Sequence, residues 1–143
     1  MTRKRSRAEK YPDTQYFKFY NANSHNHFTG DCVVRALCTA TEQSWEDCAT
    51  ELFNIGLRYG FTMLEDNVIK RYLQNHGFIK CDEPRDFDNR KYRVCDWLSL
   101  HNHKSERIVA NVGTHHIVAI VDNKVHDIWD SSKQTMHTYW VKV

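Results

Sequence analysis

The run Thr29-Gly-Asp-Cys-Val-Val-Arg-Ala-Leu37 puts a thiol at what reads as the first turn of an apolar helix. Unpaired backbone N–H groups and the positive end of the helix dipole favour thiolate over thiol there. Asp31 stands where a helix cap belongs, and Gly30 lets the chain approach closely. The N–H of Cys32 would face the oxyanion that develops when its sulfur attacks a carbonyl. Asn26, in the loop six residues upstream, is the candidate second oxyanion donor. The competing use of such a residue is a small buried hydrophobe, which is how Cys38 and Cys48 read. The Gly-Asp-Cys step alone does not separate the two.

A nucleophilic thiol needs a base to take its proton and to protonate the leaving group later. Gly113-Thr-His-His-Ile-Val-Ala-Ile-Val121 supplies one at the start of an apolar strand, where a ring is free to reach a neighbouring helix terminus. Adjacent strand residues face opposite sides, so only one of His115 and His116 can face Cys32. We choose His116 and keep His115 as the alternative. A third member should orient the imidazole. Val125-His-Asp-Ile-Trp-Asp-Ser-Ser132 follows a tight loop, so an acid near its far end returns to the start of the histidine strand. Asp130 is the candidate by that reasoning; Asp127, read as nearer mid-strand and on the opposite face, is the competitor. A histidine at a strand edge and an acid ending a strand are each commonplace. Their appearance in the order Cys, His, Asp, each in a suitable context, favours a catalytic set.

The surrounding elements must hold these residues together. Cys32, Val33, Ala36, Leu37 and Ala40 recur at helical spacing. Ser44 with Asp47 resembles a capping box, opening a second helix through Trp45, Ala49 and Leu52 that should end at Gly56. A third helix is expected over Glu65–His76, with Gly77 as its stop. Val94–Leu100 fits a short amphipathic helix. From Ile108 the period changes to that of strands: 108–112, 116–121, 125–129 and 138–143, with Asp122-Asn-Lys124 as a hairpin loop. Tyr16–Tyr20 reads as a short strand or a docked aromatic arm. Helices first and antiparallel strands second predict an α+β fold.

The chain of 143 residues is one domain's length, with residues 1–15 as a disordered basic leader and 16–143 as the folded domain. At 41% hydrophobic and 27% charged it reads as a globular protein. A net charge of +2 makes no case for a nucleic-acid partner. No apolar run approaches the ~18 residues of a membrane span. Five cysteines without a CxxC pair indicate free thiols in a reducing compartment, so a cytoplasmic location is expected. His25-Asn-His27 and His101-Asn-His103 superficially suggest metal ligands, and Cys32 with His25 and His27 has the donors for zinc. In a chain with nine histidines such pairs arise by chance, and neither a metal nor an organic cofactor is expected.

The order and contexts of Cys32, His116 and Asp130 resemble the papain-like cysteine peptidase superfamily, in which a helix-borne Cys precedes a strand-borne His and then an Asn or Asp. More closely, Asp31-Cys-Val-Val-Arg-Ala, Thr114-His-His-Ile-Val-Ala and Asp127-Ile-Trp-Asp-Ser are similar to small bacteriophage and bacterial proteins grouped with bacteriocin-leader-type peptidases. The resemblance spans about residues 16–143. It departs at Asn26, which stands where papain-type enzymes have Gln. It implies a papain-like fold with N-terminal helices on a C-terminal antiparallel sheet, and a peptidase or isopeptidase-like hydrolase acting through an acyl-thioester. A peptide or protein substrate would follow. The alternative is a catalytically silent module, a phage or bacterial effector that sequesters a host protein in the host cytoplasm.

Overall fold

The computed structural model describes residues 3–143. Among them, five helices and one six-stranded sheet form an α+β fold. The helices are α1 (Arg7–Lys10), α2 (Cys32–Thr41), α3 (Trp45–Tyr59), α4 (Asp66–Asn75) and α5 (Val94–Leu100). The strands are β1 (Phe17–Phe19), β2 (Ile79–Cys81), β3 (Arg107–Val112), β4 (His116–Val121), β5 (Lys124–Asp127) and β6 (Met136–Lys142), in the order β1-β5-β4-β3-β6-β2. Only β1 runs parallel to its neighbour, β5; the other pairs are antiparallel.

Strand alternation divides the core in two. Val109, Ile117, Ala119 and Trp140 face the layer of α2, α3 and α4, where Leu37, Leu52 and Leu73 are fully buried. Burying each such leucine stabilises the fold by ~2–3 kcal/mol, an upper figure for area removed from water. Ile108, Ala110, Val118, Ile120 and Val125 face the other way, onto Phe17 and α5. The two-residue turn Asp122-Asn123 has φ of 54° and 60°, the left-handed pair that joins twisted strands β4 and β5 without splaying them.

Helix α3 runs past Gly56 to Gly60, contrary to the stop expected from sequence. Gly60 is the left-handed cap, its N–H donating to the Gly56 carbonyl. Gly56 is needed for a different reason: a Cβ there would lie 2.4 Å from the Phe61 carbonyl oxygen, so the chain folds back over its bare Cα. Strand β2, paired with β6, was not expected because Ile79-Lys-Cys81 is short and largely exposed. Part of the stretch read as a disordered leader is a helical turn: Ser6 caps α1, and Arg7 Nε donates to the Ile128 carbonyl at 2.6 Å. Residues 1 and 2 of that leader lie outside the described residues. No helix among the described residues is long and apolar enough to cross a membrane.

Two features fix α2, and with it the thiol. At its C-terminal end, Arg107 donates to the carbonyls of Ala40 and Thr39, each at 2.6 Å, satisfying acceptors that have no partner within the helix. At its other end Arg35 is drawn into the ion network described next.

Candidate active site

Cys32 is the first residue of α2, and Asp31 occupies the cap position before it. The Asp31 carboxylate makes no capping bond to the helix. It turns inward instead, accepting from Arg35 Nε at 2.8 Å, Trp45 Nε1 at 3.0 Å and Asn23 Nδ2 at 3.1 Å. The helix N-terminus is thereby stapled to the preceding loop and to the first turn of α3, and the thiol stands half-buried at the end of a well-held helix.

His116 opens β4, directly after the loop Gly113-Thr-His115, in which Gly113 and His115 both have φ of 54°. This sharp return puts the His116 imidazole beside the Cys32 sulfur and leaves His115 exposed at the rim of the same cavity. Interaction with His116 is the largest influence on the thiol and lowers its pKa against the opposing effect of burial; the Ile117 backbone and the Arg35 charge add to the lowering. Burial would by itself lower the pKa of His116, but Asp127 and Cys32 overcome it and raise the group to about 9. The pair thus favours thiolate beside imidazolium. On the other core thiols burial is the largest influence, pushing Cys38 up to about 11 and Cys48 up to about 12.

The acid that meets the ring is Asp127, not Asp130. His116 Nε2 lies 2.7 Å from Asp127 Oδ2, which leaves Nδ1 as the nitrogen free for the sulfur. The register explains the correction. Ala119 pairs with His126 and Ile120 with Val125, so position 129 falls opposite His116 and Asp127 is its diagonal neighbour on the same face. Asp130 has the opposite parity; it folds back to accept from Ser132 Oγ at 2.5 Å and Ser132 N at 3.1 Å. Trp129, the residue before Asp130, packs its ring against the imidazole, with centroids 4.9 Å apart.

Asp127 is 1% exposed and fully engaged. Oδ1 accepts from Arg35 Nη1 at 2.8 Å and from the Ile128 N–H at 2.7 Å; Oδ2 accepts from Ser131 Oγ at 2.7 Å as well as facing His116. Burial would raise its pKa, but the bonds from His116, Ser131 and Arg35 outweigh it and the carboxyl is held below its ordinary value. Arg35 joins the two carboxylates, so a continuous hydrogen-bonded path runs Trp45–Asp31–Arg35–Asp127–His116, and it ends on the imidazole that lowers the Cys32 pKa. From the sequence, Arg35 could be paired with Asp31 one turn away but had no further role. Its second partner is 92 residues distant along the chain and no local pattern discloses it.

Asn26 is an exposed turn residue with φ of 56°, its N–H donating to the Asn23 carbonyl and its side-chain oxygen accepting from Asn21 Nδ2. It does not line the cavity over the thiol, and the oxyanion role expected of it is withdrawn. The loop residue that matters to the site is Asn23, buried and bonded to Asp31. Its signal in the sequence was weak: one Asn among three in a polar loop.

Cys32 and His116 open onto a cavity of about 460 Å³, within the usual range for ligand pockets. Leu64 and Ile69 are apolar members of its lining, Asp66 and Asn111 polar ones. His137 closes the rim, with Nε2 donating to the Gly113 carbonyl at 2.8 Å and Nδ1 facing Glu83 at 2.9 Å. That contact ties the charged 81–93 segment to the loop from which His116 emerges. The backbone N–H of Cys32, in the first turn of α2, lacks an intrahelical acceptor. A sulfur nucleophile, a base with an oriented ring and a free backbone donor are the parts required for acyl transfer.

Comparison of the chain with protein-family models, with curated proteins and with solved structures found no match.

Proposed function

We propose that the protein is a cysteine hydrolase that cleaves a peptide or isopeptide bond through an acyl-thioester, with Cys32 as nucleophile, His116 as acid and base, and Asp127 as the group orienting His116. The single observation that supports this best is the buried Asp127–His116 bond, made by the same imidazole that lowers the pKa of the Cys32 thiol. A core histidine needs no such buried carboxylate behind it, and a core thiol gains nothing from an imidazolium. The resemblance of the motifs around Cys32 and His116 to papain-like peptidases agrees with this reading.

In the proposed cycle the Cys32 thiolate adds to the carbonyl carbon, and the oxyanion faces the Cys32 N–H. The imidazolium gives its proton to the leaving nitrogen as the C–N bond breaks, leaving a thioester on Cys32 and a neutral His116. Water then attacks the thioester while His116 takes its proton; the C–S bond breaks, and the acid product and thiolate–imidazolium pair are restored. Asp127 remains ionised throughout and holds Nδ1 toward the sulfur.

An activated aryl acetate tests the chemistry before the natural substrate is known. Incubation should give an acetyl adduct on Cys32 by intact-mass and peptide mapping, absent in C32A and slow to clear in H116A. No adduct, or adducts spread evenly over the five thiols, would leave a protein that binds through this cavity without catalysis.

A further inference from the structure

The cavity above the thiol continues into a second one of about 310 Å³, and the two share Asp66, Ile69, Asn111 and Ile117 as common walls. The joint groove lies between α4 and the helix-side face of the sheet. Its floor can be followed strand by strand. Ile117 on β4 pairs with Asn111 on β3; Asn111 Nδ2 donates to the Thr138 carbonyl of β6 at 3.2 Å; and Trp140 on β6 pairs with Lys80 on β2. The groove therefore runs across the strands, from His116 at one end to Lys80 at the other, with Lys70 of α4 above that far end.

Lys70 and Lys80 are both exposed. Among the described residues the lysine ion pairs are Lys18–Asp13 and Lys91–Glu83, so neither groove lysine has an acidic partner. Asp66 is the acid of the groove, and it stands on the wall shared with the catalytic cavity. The two lysines thus gather at the end over β2, while the acid stands on the wall common to both cavities.

We propose that this groove binds an extended peptide segment with an acidic side chain or terminal carboxylate held between Lys70 and Lys80. This rests on the hydrolase reading for its purpose, though not for its test. Three inter-strand spacings separate β4 from β2, about 14 Å in all. Extended chain advances ~3.3 Å per residue, so the acidic group lies about four residues from the bond at Cys32.

Unreactive octapeptides, mostly alanine, with Glu, Gln or Lys near either end provide the test, using the full chain and K70E/K80E. Binding is read by calorimetry, which does not depend on the thiol. Reactivity at Cys32 toward iodoacetamide is read separately. Glu peptides should bind about fivefold more tightly than their Gln and Lys counterparts, as expected for two exposed charge contacts. The preference should fade between low and high salt and pass to the Lys peptides in K70E/K80E. Both lysines are exposed, so a circular-dichroism melt close to that of the parent protein shows that the variant is folded. Equal binding of the three peptides, or a Glu preference that survives K70E/K80E, would overturn the groove assignment even if Cys32 labels fast. A Glu preference with an inert Cys32 would uphold the groove and refute the hydrolase.

Discussion

Nε2 of His116 and Oδ2 of Asp127 lie 2.7 Å apart, and the carboxylate that makes this bond is almost wholly removed from solvent. An acid so buried is stable only because four donors converge on it. The stiffness that follows is what a general base requires, since the ring can turn neither away from the sulfur nor into the other tautomer.

Replacing Asp127 by Asn should lower turnover of an aryl acetate by roughly 10²-fold or more, because the amide offers Nε2 the wrong partner and the ring loses its orientation. D130N, which alters only the local bonds to Ser132, should stay within about threefold of the parent. Steady-state rates of the two variants side by side decide which acid is coupled to the histidine.

Arg35 should matter more to stability than any surface charge. It is 7% exposed and stands between two buried carboxylates. In R35M both would remain without their cation, and the loss should be about 3–5 kcal/mol by urea denaturation. A loss below about 1 kcal/mol would mean that water takes over the role of the guanidinium.

The acid limb of stability carries the signature of Asp127. Its carboxyl is held below its ordinary value by His116, Ser131 and Arg35, so it contributes stability above the unfolded carboxylate range that is lost as pH falls through the folded one. The stability gap between the parent protein and D127N should therefore narrow as pH is lowered from 6 toward 3. A gap that is constant with pH would show that the carboxylate is not selectively stabilised in the fold.

Much of this arrangement is legible in the sequence, because it is local. The thiol at a helix start, the histidine at a strand start and the period change near Ile108 all follow from neighbours within a turn or a strand. For Asp127 the sequence lacks one integer. A hairpin's pairing sum fixes which residues share a face, and it depends on whether the loop is Asp122-Asn123 or includes Lys124. With two loop residues the parity that excluded Asp127 becomes the parity that selects it. Gly56 reads as a stop by its residue type, whereas the deciding contact is the Phe61 carbonyl five residues on. Arg35, Asn23 and Ser131 could not be assigned from spacing, since each gains its role from a partner brought in by the fold.

Alkylation of Cys32 as a function of pH decides the matter. With His116 beside it, Cys32 should react with iodoacetamide far faster than Cys38 and Cys48 at neutral pH, and its rate should rise at a pH clearly below the ordinary thiol range. H116A should shift that rise upward by the loss of the imidazolium, bringing Cys32 toward an ordinary thiol. If instead all five thiols label slowly together, with a profile at Cys32 that H116A does not move, then sulfur and imidazole are not coupled and the hydrolase is refuted.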